Sequence, residues 1–348
     1  PRSTPLYSSA ASDVYKRQVQ EGDLAIVTWV DRKPVIGRPS YPATGVTFNE
    51  APLSGGTYTW GEDVLVRSGY VVKIPKTSDK YKSSIIGCAV LTGAGAVLHT
   101  AKVRPENSVA IFGVGGVGLS ALIMANILEA YPIIAVDISD EKLQFAKKFG
   151  ATHVINSTNQ DPVEAIHELT SGGSDFSFDT IGLRVTNEQI LPSVRGGGSG
   201  AENIGGMAVL VGMPGKEMTL DPGHFMRHQR QFRGSLGATY PDKDFQMYLR
   251  LYEEGKFPLD QLITKEYKLE EINEACDDLQ NGRISGRSII NFDDNLSDNN
   301  IFEIISFNAL TSLLICDFCS SSISKYFFMS VNASDIAFIL FSFLNMLL

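Results

Sequence analysis

Six consecutive residues carry the clearest chemical signal in the chain: Gly113, Val114, Gly115, Gly116, Val117 and Gly118. They follow an apolar run at 108–112 and precede a helically spaced segment at 119–130. In a strand–turn–helix unit of this kind the glycines have separate tasks. Gly113 permits a tight turn after the strand. Gly115 lets the backbone approach a diphosphate. Gly118 lets the helix pack closely on the strand. The N–H groups that open the helix then face the negative charge. Asp137, nineteen residues after Gly118, ends the next apolar run. A carboxylate there accepts hydrogen bonds from ribose hydroxyls and repels a phosphate on that ribose, which favours NAD over NADP. The bland alternative is a structural glycine turn with a helix-capping aspartate. Context and spacing together favour a dinucleotide site.

The other reactive residue types say less on their own. A free cysteine such as Cys88 is more often a small buried hydrophobe than a ligand. Cys276 falls in a helical segment and reads as buried. Cys316 and Cys319 form a lone C-x-x-C, weak evidence for metal or redox chemistry without a second pair. His153 reads as structural. His99, His167, His224 and His228 have no carboxylate or cysteine at ligand spacing.

These residues need elements to hold them. Residues 23–30, 64–66 and 70–75 are rich in β-formers, which predicts a small irregular β domain. From residue 83 the apolar positions suit a buried helix interrupted by Gly93 and Gly95. Strands are then expected at 108–112, 133–136, 154–155, 176–179 and 208–211. Helices are expected at 119–130, 140–149, 162–170 and 185–194. Apolar strands alternating with helices predict an α/β fold, a parallel sheet covered on both faces. A strand-like stretch at 232–237, helices at 242–254 and 269–281 and a last strand at 287–292 complete the ordered part.

The 348 residues are enough for two domains, and a net charge of −9 argues against a nucleic-acid partner. Six acids and one base place −5 of that charge in residues 293–348. That tail holds no glycine or proline, and its last thirteen residues, 336–348, are too short a run to span a bilayer; no membrane partner is expected, with an interfacial anchor as the alternative. Residues 1–18 show no periodicity. Both ends are expected to stand outside the fold. Four cysteines make no disulfide framework, and no apolar stretch follows the first charges, which points to the cytoplasm.

Over residues 19–292 the chain resembles the zinc-dependent medium-chain alcohol dehydrogenase family. The resemblance is carried by residues 87–93 (Gly-Cys-Ala-Val-Leu-Thr-Gly), by the glycine motif, by residues 134–138 around Asp137, by 176–182, by 211–214 and by 258–273. It implies a doubly wound parallel Rossmann sheet at 90–236. It also implies the remnant of a smaller irregular β (GroES-like) catalytic domain at 19–89 and 237–292. NAD and a catalytic zinc are the implied cofactors. Cys88 resembles the third zinc ligand, and thiolate suits this borderline-soft ion. Thr92 resembles the residue beside the nicotinamide, and Lys142 the lysine near the adenosine ribose. Gly116 and Val117 complete the diphosphate turn, and Ile181, Val211 and Gly212 resemble the wall lining the cofactor. Trp60 falls where the family has a substrate-pocket aromatic, with ordinary core burial as the equal alternative. The implied partners are a small alcohol or aldehyde and a second copy of the chain. That copy would pair through residues 207–211 and the segment up to Leu220.

The chain also departs from the family. An earlier cysteine, a Gly-His-Glu segment and a hydroxyl-bearing proton-relay residue are expected before Val19, and residues 1–18 contain no His and no Cys. The catalytic zinc site is therefore expected to be incomplete, the chain N-terminally truncated and its activity poor. Residues 29–60 hold no cysteine, so no structural zinc is expected. The family's diphosphate-binding arginine falls at Ile290, with Arg287 and Arg283 as substitutes. Three readings follow: an NAD-dependent alcohol or aldehyde oxidoreductase, a non-catalytic dinucleotide-binding protein, and a zinc-free medium-chain reductase. Cys88 in its motif argues against the last.

Overall fold

The computed structural model describes residues 19–30, 47–48, 51–52, 66, 68–292 and 304–305. The N-terminal strand β1 (Ala25–Val27) keeps only three residues of the expected run. Two-residue strands β2 (Thr47–Phe48) and β3 (Ala51–Pro52) pair with each other. Strand β4 (Val71–Lys73) runs antiparallel to β1. Residues 64–65 of the expected strand at 64–66 lie outside the described residues. Helix α1 (Lys80–Ser83) is capped by Asp79, whose Oδ1 accepts from Lys82 N at 3.1 Å. A 3-10 turn, Ser84–Gly87, leads to helix α2 (Ala89–Gly95), which widens into a π turn at Ala96–Ala101.

The two glycines expected to interrupt this helix instead let it pass close to its neighbours. A Cβ on Gly93 would lie 2.1 Å from the Val117 carbonyl, and one on Gly95 2.3 Å from the Gly237 carbonyl. Glycine here trades helix propensity for close approach.

The regular alternation that follows builds the main sheet. In order come β5 (Val109–Phe112), α3 (Gly116–Ile127), β6 (Ile133–Asp137), α4 (Asp140–Lys147) and β7 (His153–Asn156). Then come α5 (Pro162–Thr170), β8 (Phe176–Asp179), α6 (Arg184–Ser193), β9 (Met207–Leu210), the short α7 (Gly223–Met226) and β10 (Gln231–Gly234). The six strands lie in the order β10-β9-β8-β5-β6-β7, all parallel. Side chains alternate across the sheet. Val109 and Ile111 enter one core with Leu119, Leu122 and Leu143, while Ala110 and Phe112 enter the other with Ile166, Ile190 and Leu191. Burying each large aliphatic side chain there is worth about 1.5–3 kcal/mol. Both faces are thus covered, and β5 is flanked by β6 on one side and β8 on the other. The strand order reverses at that point, which leaves a crevice at the carboxyl ends of the strands.

Strand β9 is hydrogen-bonded on both edges, to β8 and to β10. It therefore has no free edge for a second copy, contrary to the expectation from sequence, and the outer strand on that side is β10.

The chain then returns through α8 (Pro241–Glu253), α9 (Leu259–Leu262), β11 (Ile263–Lys268), α10 (Ile272–Gln280) and β12 (Arg287–Asn291). The helix expected at 269–281 begins as a 3-10 turn, Leu269–Glu271. β11 and β12 pair in parallel over a small core of Tyr267, Ala275 and Ile290. In the tail, β13 (Ile304–Ile305) runs parallel to β1, so the segment after residue 292 is not wholly apart from the fold. Among the described residues no single helix is long and apolar enough to cross a membrane.

Candidate dinucleotide-binding site

The glycine turn sits in the crevice where the strand order reverses. Gly113 has φ +86°, a left-handed conformation open to glycine at little cost. A Cβ on Gly118 would lie 1.9 Å from the Gly113 carbonyl, so helix and strand touch backbone to backbone. Gly115 is the N-cap of α3, with no side chain capping the helix. A Cβ on Gly115 would meet nothing within 4 Å. Its flanking glycines are packed and Gly115 is open, at a helix start whose first amides have no intrahelical partner. Gly116 is packed for a reason not visible in sequence: a Cβ there would lie 1.8 Å from Arg287 Cδ.

Asp137 ends β6 beside this turn. Its Oδ2 accepts from Val114 N at 3.0 Å, and its Oδ1 from Ile138 N at 2.8 Å and Ser139 N at 3.1 Å. The capping alternative fails, because Ser139 is the N-cap of α4 and bonds Lys142 N. Ile138 next to it is 70% exposed. Lys142 extends toward the turn at 282–286, where a Cβ on Gly282 would lie 3.8 Å from its Nζ. Ser285 Oγ in that turn donates to Glu141 Oε1 at 2.9 Å.

On the other side of β5, the residues after β8 and β9 form a wall. A Cβ on Gly113 would lie 2.4 Å from Ile181 Cγ1, and one on Gly212 2.5 Å from the Ile181 carbonyl carbon. Ile181 therefore adjoins the glycine turn directly, and Gly212 packs on Ile181 from behind.

Cys88 lies at the start of α2, four residues before Thr92, with the sulfur 3.8 Å from Thr92 Oγ1. Thr28 Oγ1 donates to the Gly87 carbonyl at 3.1 Å and so docks the end of β1 on this turn. Burial pushes the Cys88 thiol pKa up, against the opposing pull of Arg287, Thr92 and Trp29. Arg287 is itself 7% exposed. It faces both the glycine turn and the cysteine.

Several expectations need correcting. Ile290 is buried against Tyr267 and Ala275, where its apolar side chain serves the small core, so the position facing the glycine turn is Arg287. Arg283 is held by Asp277 and Asp278 instead. The expectation for Trp60, like those for Cys316 and Cys319, falls outside the described residues and is neither met nor overturned; among the described residues Trp29 lies beside Cys88. His99 does have a carboxylate partner, Asp244 Oδ2 at 2.9 Å, brought from α8 by the fold and invisible to local spacing. Cys276 is half-buried, and burial raises its pKa.

A parallel sheet with a glycine turn and a terminal acid at its switch point defines a Rossmann-type nucleotide-binding domain. The zinc-binding dehydrogenase family matches residues 116–254. Alcohol dehydrogenase 1 of Pisum sativum is 35% identical over 244 residues, which is 69% of this chain and 62% of that protein. The crystal structure of benzyl alcohol dehydrogenase from Acinetobacter calcoaceticus superposes with a TM-score of 0.66 at 31% identity, covering 78% of each chain. An alcohol dehydrogenase zinc-binding domain protein from Burkholderia ambifaria gives a TM-score of 0.61 at 34% identity, over 66% of this chain and 60% of that one. The chain belongs to the zinc-dependent medium-chain alcohol dehydrogenase family. It spans somewhat less than two thirds of the length of the pea and Burkholderia proteins.

Proposed function

We propose that this chain binds NAD across the carboxyl edge of the six-stranded sheet. The whole protein then acts as an oxidoreductase passing hydride between nicotinamide and a small alcohol or aldehyde. The observation that carries the reading is the open position at Gly115, between packed glycines and beside the Asp137 carboxylate. The first-turn amides of α3 take the diphosphate, with the Arg287 guanidinium behind Gly116. Asp137 takes the adenosine ribose hydroxyls, with Ile138 available to the adenine and Lys142 near the ribose. Ile181, Val211 and Gly212 line the other half of the cofactor, and Thr92 and Cys88 lie towards its reactive end. When bound, NAD supplies the carbon that accepts hydride. The protein's share is position and exclusion of water.

A catalytic zinc requires three protein ligands. Among the described residues no group of three His, Cys, Asp or Glu side chains comes together, and Cys88 is the sole donor that the resemblance names. The described residues do not fit a zinc ion by themselves.

The alcohol or aldehyde substrate is carried over from the names of the pea and Acinetobacter relatives. The cytoplasm and a homo-oligomer complete the proposal. Pairing through the main sheet would use an outer strand, β10 on the β9 side, rather than β9 itself.

The test is a fluorescence titration of the full chain with NADH and NADPH, together with metal analysis. Saturable NADH binding, NADPH at least ten-fold weaker and less than one zinc per chain are expected. No NADH binding would overturn the reading.

A further inference from the structure

Asp179 lies within the 176–182 stretch of the resemblance, yet no role was expected of it. Asp179 ends β8 and is 0% exposed. Its carboxylate has donors on both oxygens. Oδ1 accepts from Ile181 N at 2.8 Å and Gly182 N at 3.0 Å. Oδ2 accepts from Thr186 Oγ1 at 3.0 Å and from Asn187 Nδ2. The backbone of the same residue reaches the neighbouring loop: its carbonyl accepts from Val211 N at 2.9 Å and Gly212 N at 2.8 Å. One residue thus bonds the amides of all three expected wall residues, Ile181, Val211 and Gly212.

These bonds place the wall against the glycine turn. The Asx-type turn under Oδ1 sets Ile181 on Gly113. It also sets Gly182 at φ +93°, where a Cβ would lie 2.0 Å from the Met213 carbonyl. Thr180 Oγ1, inside the same turn, donates to the Gly113 carbonyl at 2.8 Å. The acid is not a helix cap, because the N-cap of α6 is Leu183 and no side chain caps it. Thr186 and Asn187, in the first turns of α6, brace the carboxylate from behind.

Topology says which part of the ligand this wall meets. Asp137 lies on the β6 side of β5, and β8 and β9 lie on the opposite side. A dinucleotide straddling the glycine turn with its adenosine on Asp137 must lay its nicotinamide half over β8 and β9.

We propose that Asp179 is the positioning residue of the nicotinamide half of the site. It fixes the backbone at Ile181, Val211 and Gly212, so that the wall is formed before the cofactor arrives. The proposal rests on the NAD reading above. An amide of the same shape cannot replace the carboxylate. Its NH2 would face one pair of donors, and buried donors left without an acceptor are costly.

The experiment compares NADH with ADP, which ends at the diphosphate, by titration of the full chain and of Asp179→Asn, with the fold checked by circular dichroism. Asp179→Asn is expected to weaken NADH at least ten-fold and to leave ADP within two-fold. Equal NADH affinity in the variant overturns the proposal. So does a parallel loss of NADH and ADP, which is the mark of a general structural role. If Asp179→Asn does not fold, Thr186→Val combined with Asn187→Ala decides. That variant keeps the acid and removes its rear braces, and it is expected to weaken NADH three-fold or more with ADP unchanged. NADH affinity unchanged in it, or a parallel loss of ADP, again overturns the proposal. A wild-type chain that binds neither ligand removes the NAD reading itself. Wild-type binding with indifferent variants removes only the role of Asp179.

Discussion

At the scale of single residues the four glycines of the turn separate into three packed positions and one open one, Gly115. An alanine at Gly118 would drive its Cβ into the Gly113 carbonyl, and the strand and helix would have to part. Overpacking of that kind costs about 1–3 kcal/mol, so Gly118→Ala should lower the thermal midpoint. Gly115 has φ −74° and ψ −169°, an extended conformation that alanine adopts, with free space around it. Gly115→Ala should therefore melt within a degree or two of wild type and still bind NADH at least ten-fold more weakly, because the methyl occupies the diphosphate's approach. A variant that both melts and binds like wild type would refute the turn's role. Asp137→Ala removes a charged acceptor worth about 1.5–3 kcal/mol. NADH titration should show roughly a 10- to 100-fold weaker complex and a smaller preference over NADPH. The turn at Gly113 and the close packing at Gly118 were legible in sequence because the motif is local. Arg287 against Gly116, Trp29 beside Cys88 and Asp244 on His99 were not, since each partner comes from a distant element.

At the scale of elements, hydrophobic period recovered the first five strands of the main sheet within a residue or two and most of the helices between them, but it carried β10 three residues too far and gave no sign of the short α7. Helix α3 begins inside the glycine motif, three residues before the expected start, because glycine at 116 and 118 hides its helical conformation from propensity. The strand β11 was missed for a different reason. Its sequence, Ile-Thr-Lys-Glu-Tyr-Lys, buries only Tyr267 fully, and Thr264 and three charged residues occupy the exposed positions. Besides its pairing with β12, an ionic network holds it. Asp278 on α10 accepts from Tyr267 Oη at 2.5 Å, from Arg283 Nε at 2.6 Å and from Lys265 Nζ. The Lys265 ammonium, with Tyr267 and Arg283, holds the Asp278 carboxyl well below the usual carboxylate range. An acid with a depressed folded pKa stabilises above its unfolded value, near 3.9, and that contribution fades as pH falls towards the folded pKa. Asp278→Ala should lower the melting temperature at neutral pH, and its difference from wild type should shrink steadily below about pH 4. A difference that stays constant from pH 7 to pH 3 would refute the network.

For the whole molecule, the decisive feature is that the site is assembled from both parts of the chain. The main sheet supplies the glycine turn, Asp137 and the wall. Arg287, by contrast, starts β12 and belongs to the returning segment paired with β11. Its guanidinium is buried in the same region as Cys88, and burial lowers its pKa from the ordinary value. A dianionic diphosphate placed on the α3 amides would therefore pull on both units through one ion contact. Ligand that binds only the native state stabilises it by about 2.7 kcal/mol at a hundred times its dissociation constant, and that stabilisation appears wherever opening would break a ligand contact. Hydrogen exchange with saturating NADH should consequently slow at residues 113–118 and also at 287–291, although the second segment is outside the nucleotide sheet. In Arg287→Ala the slowing should persist at 113–118 and vanish at 287–291. Protection confined to the main sheet in the wild type would show that the returning segment takes no part in holding the nucleotide, and that Arg287 packs on Gly116 for the sake of the fold alone.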